Sequence, residues 1–359
     1  MKFMGGGERL CCDTIRTLIT HGHTIALLSE AFDPRRIEEF FGYERLFDKV
    51  NLLLYAASKT STPYGSTTHL IHHAKGQLRA LSQNHFRSQA WDLIFSTQDA
   101  AYIPDLEPPV LQWGYFPKHI PSFFELDLPK AIRSVPINRY YLHKIARIGL
   151  VLAISQYSRT HLDKEWKRPS VLVYPACNMV SAKAKSNLVI TTARAIPEKR
   201  LELFWKVAEL CPEYKFVMML TYDPRFQQYT TKLYNETPVN GKIVPNPPKD
   251  IYDEILGEAK VYLHLMEGEH FGITIVEAMS ASCVPVVHDS GGPKEIVNPE
   301  SGFRWRNLDE VPQMIFEAMK RAPSSVAKQR AENFSYERFD GRLFSVFAEL
   351  QARNRKLSP

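Results

Sequence analysis

No stretch of this 359-residue sequence approaches the ~18 consecutive apolar residues of a membrane-spanning helix. The longest apolar runs, Gly149–Ile154 and Phe216–Leu220, have the length of buried strands. The amino terminus lacks the long apolar stretch of a secretory leader. The five cysteines, Cys11, Cys12, Cys177, Cys211 and Cys283, are odd in number and form no C-x-x-C pair. That argues against a disulfide framework or a cysteine zinc site and for a reducing compartment, so a cytoplasmic location is expected. There is no run of five basic residues and no zinc-finger or RNP-like motif, so nucleic acid is not an expected partner. No low-complexity tract or repeat is visible. An Asp-x-Asp metal triplet is also lacking. The nearest sequences are Asp105-Leu-Glu107, Glu125-Leu-Asp127 and Glu267-Gly-Glu269, the first two in proline-rich stretches. His72 and His73 are adjacent and cannot both face one ion from a regular element. No catalytic metal is expected.

What remains is the composition of an ordinary folded protein, 44% hydrophobic and 23% charged, in a chain long enough for two domains. The net charge of +6 is uneven: residues 1–180 hold 21 Lys+Arg against 16 Asp+Glu, and residues 181–359 hold 24 against 23. A basic first half suits an anionic partner such as phosphate or acidic lipid, and equally an ordinary solvated surface.

Short apolar runs alternate with amphipathic stretches throughout. Strands are expected at Thr24–Leu28, Val50–Tyr55, Asp92–Ser96, Val110–Trp113, Leu150–Ile154 and Val171–Tyr174. A second series is expected at Leu188–Ala193, Lys215–Leu220, Lys242–Val244, Val261–Leu265 and Val284–Val287. Helical patterns lie between, as at Lys199–Leu210, where Leu201, Phe204, Trp205 and Ala208 share a face. This alternation implies an α/β fold of two Rossmann-like, doubly wound domains with a ligand cleft at the carboxyl ends of their strands. The small, polar segment Met179–Ser186 suggests domains at 1–178 and 179–339, with a final helix, 340–359, packing back on the first. A doubly wound domain normally opens with a central strand. Here Gly5-Gly6-Gly7 follows after four residues, so that strand is expected to be missing or shortened.

Four segments carry candidate chemistry. In Glu267-Gly-Glu269-His-Phe271-Gly272-Ile273-Thr274-Ile-Val-Glu277, Gly272 falls at an expected strand-to-helix turn. The helix start at Gly272–Thr274 would offer N–H groups and a positive dipole end to a phosphate. Glu277, one turn in, can accept hydrogen bonds from the vicinal hydroxyls of a ribose, while Glu269 would face a sugar. The plain alternative is a capped helix with two solvent-facing glutamates. In Ala193-Arg194-Ala-Ile-Pro197-Glu-Lys199-Arg200, Arg194 and Lys199 follow a strand, and Pro197 suits the first turn of the next helix. Two cations there can neutralise a departing diphosphate; alone, the segment reads as well as helix-end charge. Gly5-Gly6-Gly7-Glu8-Arg9 before a helix at Leu10–Thr20 suggests an anion-binding nest, though it is neither a G-x-G-x-x-G fingerprint nor a P-loop. Ser290-Gly291-Gly292-Pro293 is a tight loop after a strand that shapes a base or sugar pocket or is a plain turn.

Together these segments resemble glycosyltransferase family 4, of GT-B architecture, from Gly5 to about Phe347. The E-x-F-G-x-x-x-x-E element is matched by Glu269, Phe271, Gly272 and Glu277, the basic pair by Arg194 and Lys199, and the glycine loop by Gly5, Gly6 and Gly7. Ala153-Ile-Ser155-Gln-Tyr-Ser158 is similar to the segment that ends the family's first domain. Leu263–Met279 with Val287–Lys294 is similar to the branch of dolichol- or polyprenol-linked oligosaccharide α-1,2-mannosyltransferases. The resemblance implies a retaining, metal-independent hexosyltransferase with GDP-mannose as donor, a lipid-linked glycan as acceptor, and any membrane contact peripheral. It implies that Glu269 lies by the donor sugar, Glu277 binds the ribose, and Arg194 and Lys199 bind the diphosphate. Two departures stand out. The family's first-domain histidine is replaced by Tyr115 in Gln112-Trp-Gly-Tyr115-Phe-Pro117, with His119 close by. The relatives' membrane anchor has no counterpart in this sequence. The aromatics Trp113, Tyr115, Phe116, Phe123 and Phe124 suit an acceptor surface or a domain core. Other readings are a UDP-sugar-using transferase, a non-catalytic GT-B subunit, and a nucleotide-sugar epimerase or hydrolase.

Overall fold

The computed structural model describes residues 4–56, 67–83, 91–118 and 128–357. The chain divides into two compact units, Met1–Val173 and Tyr174–Pro359.

The second unit runs β7 (Ser186–Arg194), α6 (Glu202–Leu210), β8 (Lys215–Thr221), α7 (Gln227–Asn235), β9 (Gly241–Pro245), α8 (Lys249–Glu258), β10 (Ala259–His264), α9 (Ile273–Ser280), β11 (Val284–His288), α10 (Pro293–Ile296), β12 (Phe303–Trp305), α11 (Val311–Lys320), α12 (Ser325–Ala331) and α13 (Tyr336–Leu357). Its six strands are all parallel, in the order β12-β11-β10-β7-β8-β9. Numbered by appearance within the unit this is 6-5-4-1-2-3, the doubly wound order, with its switch point between β7 and β10. Val261, Leu263, Val284, Val286 and Phe216 are fully or almost fully buried, as strands covered on both faces require. Phe204 and Trp205 of α6, Trp305 of β12 and Ile315 of α11 close one side of the core.

The first unit runs α1 (Gly6–Thr20), β1 (Ile25–Glu30), α2 (Pro34–Phe41), β2 (Val50–Tyr55), α3 (Thr67–Gln83), β3 (Ile94–Ser96), β4 (Val110–Gly114), α4 (Leu128–Ala146), β5 (Ile148–Ala153), α5 (Gln156–Trp166) and β6 (Ser170–Leu172). Among the described residues its strands form two parallel sheets, β1-β2 and β3-β4-β5-β6. In doubly wound order the strand preceding α1 would lie between β1 and β3, and the break between the sheets falls there. The first described element is α1, and residues 1–3, where a shortened strand was expected, lie outside the described residues. Helix α1 touches both sheets. Cys12 and Ile15 join the cluster of Ile37, Phe47 and Val50, while Thr14 accepts a hydrogen bond from the Trp113 indole of β4 at 3.1 Å.

All eleven expected strands are present, with ends shifted by a few residues, and a twelfth, β12, is added. One local expectation is corrected. Pro197 does not start α6: it opens a separate 3-10 turn, Pro197–Lys199, closed by Arg200 in the left-handed region at φ 53°. Two cations, Lys199 and Arg200, are thereby placed in the loop rather than in the first turn of a helix.

Candidate functional site

The site of the second unit lies at the carboxyl ends of β7 and β10, the switch point where open α/β sheets place ligands. Arg194 is the last residue of β7 and His264 the last of β10. The loops that follow are tied by two ion pairs, Lys199–Glu269 and Arg200–Glu267. The two glutamates of Glu267-Gly-Glu269 are therefore not a metal pair in this geometry. Each neutralises a cation from the β7–α6 loop.

Glu269 has three partners. Lys199 donates to its Oε2, the His264 Nε2 lies 3.3 Å from the same oxygen, and the His270 amide donates to Oε1 at 3.1 Å. Burial opposes ionisation of Glu269, but the Lys199 charge and the His264 contact outweigh it and hold the carboxyl well below the usual range. Burial also depresses His264 below the ordinary histidine value, only partly offset by Glu269. Glu269 is thus ionised and His264 neutral at neutral pH. Both native pKa values lie below their unfolded values, so below those values the unfolded chain binds more protons. Stability is expected to be full above about pH 6.5 and to fall as the pH drops, first with His264, then below about pH 4.5 with Glu269. Denaturant midpoints measured across pH check this, and His264→Asn should flatten the upper part of the fall.

The glycine of the motif does what its position implied. Gly272 caps α9 in the left-handed region at φ 110°, so the amides of Ile273 and Thr274 head the helix. Thr274 is positioned by a 2.7 Å contact of its hydroxyl with Tyr262. Glu277, the fifth residue of α9, is 4% exposed, and its Oε2 accepts from the Tyr252 hydroxyl at 2.6 Å. A solvent-facing pair of glutamates is therefore not what the fold contains. The Phe271 ring packs with Tyr174 and Phe334 at centroid distances of 5.8 and 5.5 Å. It serves as an apolar anchor for the loop.

The Ser290–Pro293 loop is not a plain turn. The Ser290 hydroxyl accepts from the Gly268 amide at 2.8 Å and lies 2.7 Å from His288 Nδ1. The Gly292 amide donates to the Glu269 carbonyl at 2.8 Å. A Cβ on Gly291 would lie 2.3 Å from that carbonyl, and one on Gly292 2.6 Å from the Phe271 Cα. Two glycines are needed because two backbones touch there.

In the first unit the three glycines stand at the amino end of α1. Gly6 and Gly7 are the first two residues of α1, Gly5 is its N-cap, and none of the three is left-handed. The Gly5 amide donates to the Glu8 carboxylate at 3.1 Å, a capping box with an acid at the helix start. The carboxylate of Glu8 thus stands at the positive end of the helix. Tyr115 does meet this loop: its hydroxyl lies 3.2 Å from the Thr97 carbonyl and 3.4 Å from that of Gly7. Trp113 is core, 1% exposed, and Phe116 packs on Tyr157 and His161. His119, Phe123 and Phe124 lie outside the described residues.

Sequence reasoning gave no role to His264, Tyr252 or Arg200. His264 was signalled only by ending an apolar run just before the motif. Tyr252 sits in an unremarked helix far from Glu277 in sequence.

Residues 179–307 match the family model of the glycosyl transferases group 1. The chain is 26% identical over 230 residues to the GDP-Man:Man(3)GlcNAc(2)-PP-Dol alpha-1,2-mannosyltransferase of Dictyostelium discoideum, covering 55% of this chain and 45% of that protein. It is 30% identical over 186 residues to the Yarrowia lipolytica protein of that name, covering 43% and 29%, and 27% identical over 240 residues to the human one, covering 55% and 46%. The chain thus spans less than half the length of these relatives. Among solved structures, Anabaena Alr3699/HepE in complex with UDP and glucose superposes with a TM-score of 0.69 at 16% identity, covering 96% of each chain. Sucrose-phosphate synthase from Thermosynechococcus elongatus gives 0.71 at 14% identity, covering 94% of this chain and 91% of that one. These two likenesses carry the fold, a GT-B-like pair of Rossmann-like units.

Proposed function

We propose that this chain, whose residues 179–307 match the family model of the group 1 glycosyl transferases, is a retaining transferase that moves mannose from GDP-mannose to a lipid-linked oligosaccharide. The observation that carries the reading is the convergence of Lys199, Arg200, Glu267, Glu269 and His264 on the switch point, with Arg194 ending the adjacent strand and the α9 amides heading the next helix. The printed names of the relatives supply the donor and acceptor.

In this reading the donor diphosphate lies on the amides of Ile273 and Thr274, with Lys199 and Arg194 as counter-charges. Glu277, oriented by Tyr252, takes the ribose hydroxyls. Glu269 orients the sugar. The acceptor hydroxyl attacks the anomeric carbon from the face that the diphosphate leaves. The new C–O bond forms as the bond to the phosphate oxygen breaks, and the acceptor proton passes to that oxygen, so no enzymic nucleophile is needed. Charge grows on the phosphate as the bond breaks, and fixed cations and amides stabilise that state more than the ground state. Because these groups meet the diphosphate charge, added magnesium or manganese is expected to leave the rate unchanged. The basic first unit takes the acceptor, and the chain acts at the cytoplasmic face of a membrane. Among the described residues no helix is long and apolar enough to cross one.

The test is transfer of label from GDP-, UDP- and ADP-sugars to a polyprenyl-diphosphate oligosaccharide. GDP-mannose should give labelled lipid with the anomeric configuration retained. Nucleotide release without acceptor would mark a hydrolase or epimerase. Donor binding without transfer would mark a non-catalytic subunit, a reading favoured by the capped α1 and the engaged Tyr115. One substitution probes the ribose contact. Glu277→Gln removes a charge-assisted acceptor worth about 1.5–3 kcal/mol. The donor KM should rise roughly 10- to 100-fold with turnover little changed, the signature of binding shared by ground and transition states. Steady-state kinetics in donor concentration check it.

A further inference from the structure

The first unit holds a second cluster of side chains that the transferase reading does not use. His69 and His73 are four residues apart on α3, the spacing that stacks two side chains on one helix face. Glu30, the last residue of β1, meets them. One ligand atom from each of the three lies within 4.8 Å of the others. The cluster stands at the carboxyl end of the β1-β2 pair, where Glu30 is in register with Tyr55.

One separation in the cluster matches that of two ligands on one ion. The His73 Nε2 and a Glu30 carboxylate oxygen are 3.3 Å apart. Two ligands each about 2.1 Å from a tetrahedral zinc ion are separated by about 3.4 Å. Both rings are oriented from behind by a tyrosine. The His73 Nδ1 lies 2.7 Å from the Tyr55 hydroxyl and the His69 Nδ1 2.9 Å from the Tyr102 hydroxyl. In the tautomer in which Nδ1–H donates to each hydroxyl, Nε2 carries the lone pair, and the tyrosine is the outer contact that metal-binding histidines make. Those tyrosines are themselves placed. Gly76 of α3 lets the Tyr55 ring lie against the helix, since a Cβ there would sit 2.4 Å from the ring. Gln77 donates to the Tyr102 carbonyl at 2.9 Å. The adjacent His72 takes no part, because its Nε2 lies 2.9 Å from the Ala56 carbonyl.

We propose that Glu30, His69 and His73 form a zinc-type divalent cation site in the first unit, with water as the fourth ligand. Two imidazoles select against magnesium and calcium, which prefer oxygen, and the single carboxylate leaves a net positive centre. Three protein ligands are the number found in open zinc sites, which keep one position exchangeable. The proposal rests on no residue of the donor site and stands or falls separately from the transferase reading.

The whole chain, stripped with chelator and dialysed, is titrated with zinc against a chromophoric competitor and separately with cobalt. One equivalent of zinc should bind with a dissociation constant of about 1 μM or tighter. Glu30→Gln and His69→Gln should each weaken it at least tenfold, and Tyr102→Phe should weaken it by a smaller factor. The cobalt form should show visible d–d bands without a thiolate charge-transfer band. No stoichiometric zinc binding by the wild-type chain overturns the proposal. So does a thiolate band, which would place the metal on the cysteines, and so does unchanged affinity in folded Glu30→Gln and His69→Gln variants. Because the cobalt spectrum needs no variant, misfolding of the substituted chains does not remove the test.

Discussion

Lys199→Ala is expected to lower sugar transfer by about 10²- to 10³-fold, the scale of losing one fixed donor to a developing anion. The lysine has two tasks at once. It neutralises Glu269 in the folded protein, and in the proposed reaction it stands by the phosphate that gains charge. Its removal leaves Glu269 with only the His264 ring and the His270 amide. The carboxyl then rises toward its ordinary range, because burial is no longer opposed by the lysine charge. The loss should lie mainly in turnover, with donor affinity reduced less. Lys199→Arg should recover part of it, since a guanidinium restores charge but not the point geometry of an ammonium. Transfer by Lys199→Ala at the wild-type rate would remove the proposed role.

Gly291→Ala should produce the next largest effect by a different route. Gly291 has a φ of 65°, and an added Cβ would lie 2.3 Å from the Glu269 carbonyl and 2.9 Å from its amide. Neither partner is a flexible side-chain end, so one loop must move. A displacement of about 1 Å at a catalytic group costs on the order of 10²-fold in rate. The left-handed backbone adds about 1–2 kcal/mol of strain, seen as a lower melting temperature. Gly22→Ala is the control. Gly22 has a φ of 79° with nothing within 4 Å of its Cβ position, so it should show the strain without the loss of transfer. Full activity in Gly291→Ala would mean that the contact between the loops does not hold Glu269.

The parallel sheets were legible because buried parallel strands are runs of Val, Ile and Leu, as at Val284–Val287, and such runs need no partner to be recognised. The strand β12 was not, because Phe303-Arg304-Trp305 is three residues long with a charge at its centre. The α6 start was misread because a non-glycine residue, Arg200, takes the left-handed conformation that ends the turn. At the candidate site, the places of Gly272 and Glu277 at and within a helix were legible since that helix is local. The Lys199–Glu269 and Arg200–Glu267 pairs were not, since their members come from loops brought together by sheet order alone. For the same reason Gly291 and Gly292 gave no hint of what they touch. At Gly5-Gly6-Gly7 the helix begins earlier than the expected start at Leu10. Glycines were read as a loop, while Glu8 three residues after Gly5 was the sign of a helix start. His69 and His73 show a shared face only once their segment is helical, and Glu30 comes from a distant strand.

A crystal structure of the chain with bound GDP-mannose tests the account most directly. The diphosphate should lie within hydrogen-bonding distance of the Ile273 and Thr274 amides and of Lys199 and Arg194, with the ribose on Glu277 and the sugar against Glu269. A diphosphate bound away from the carboxyl ends of β7 and β10, with the Lys199–Glu269 pair untouched, would contradict it.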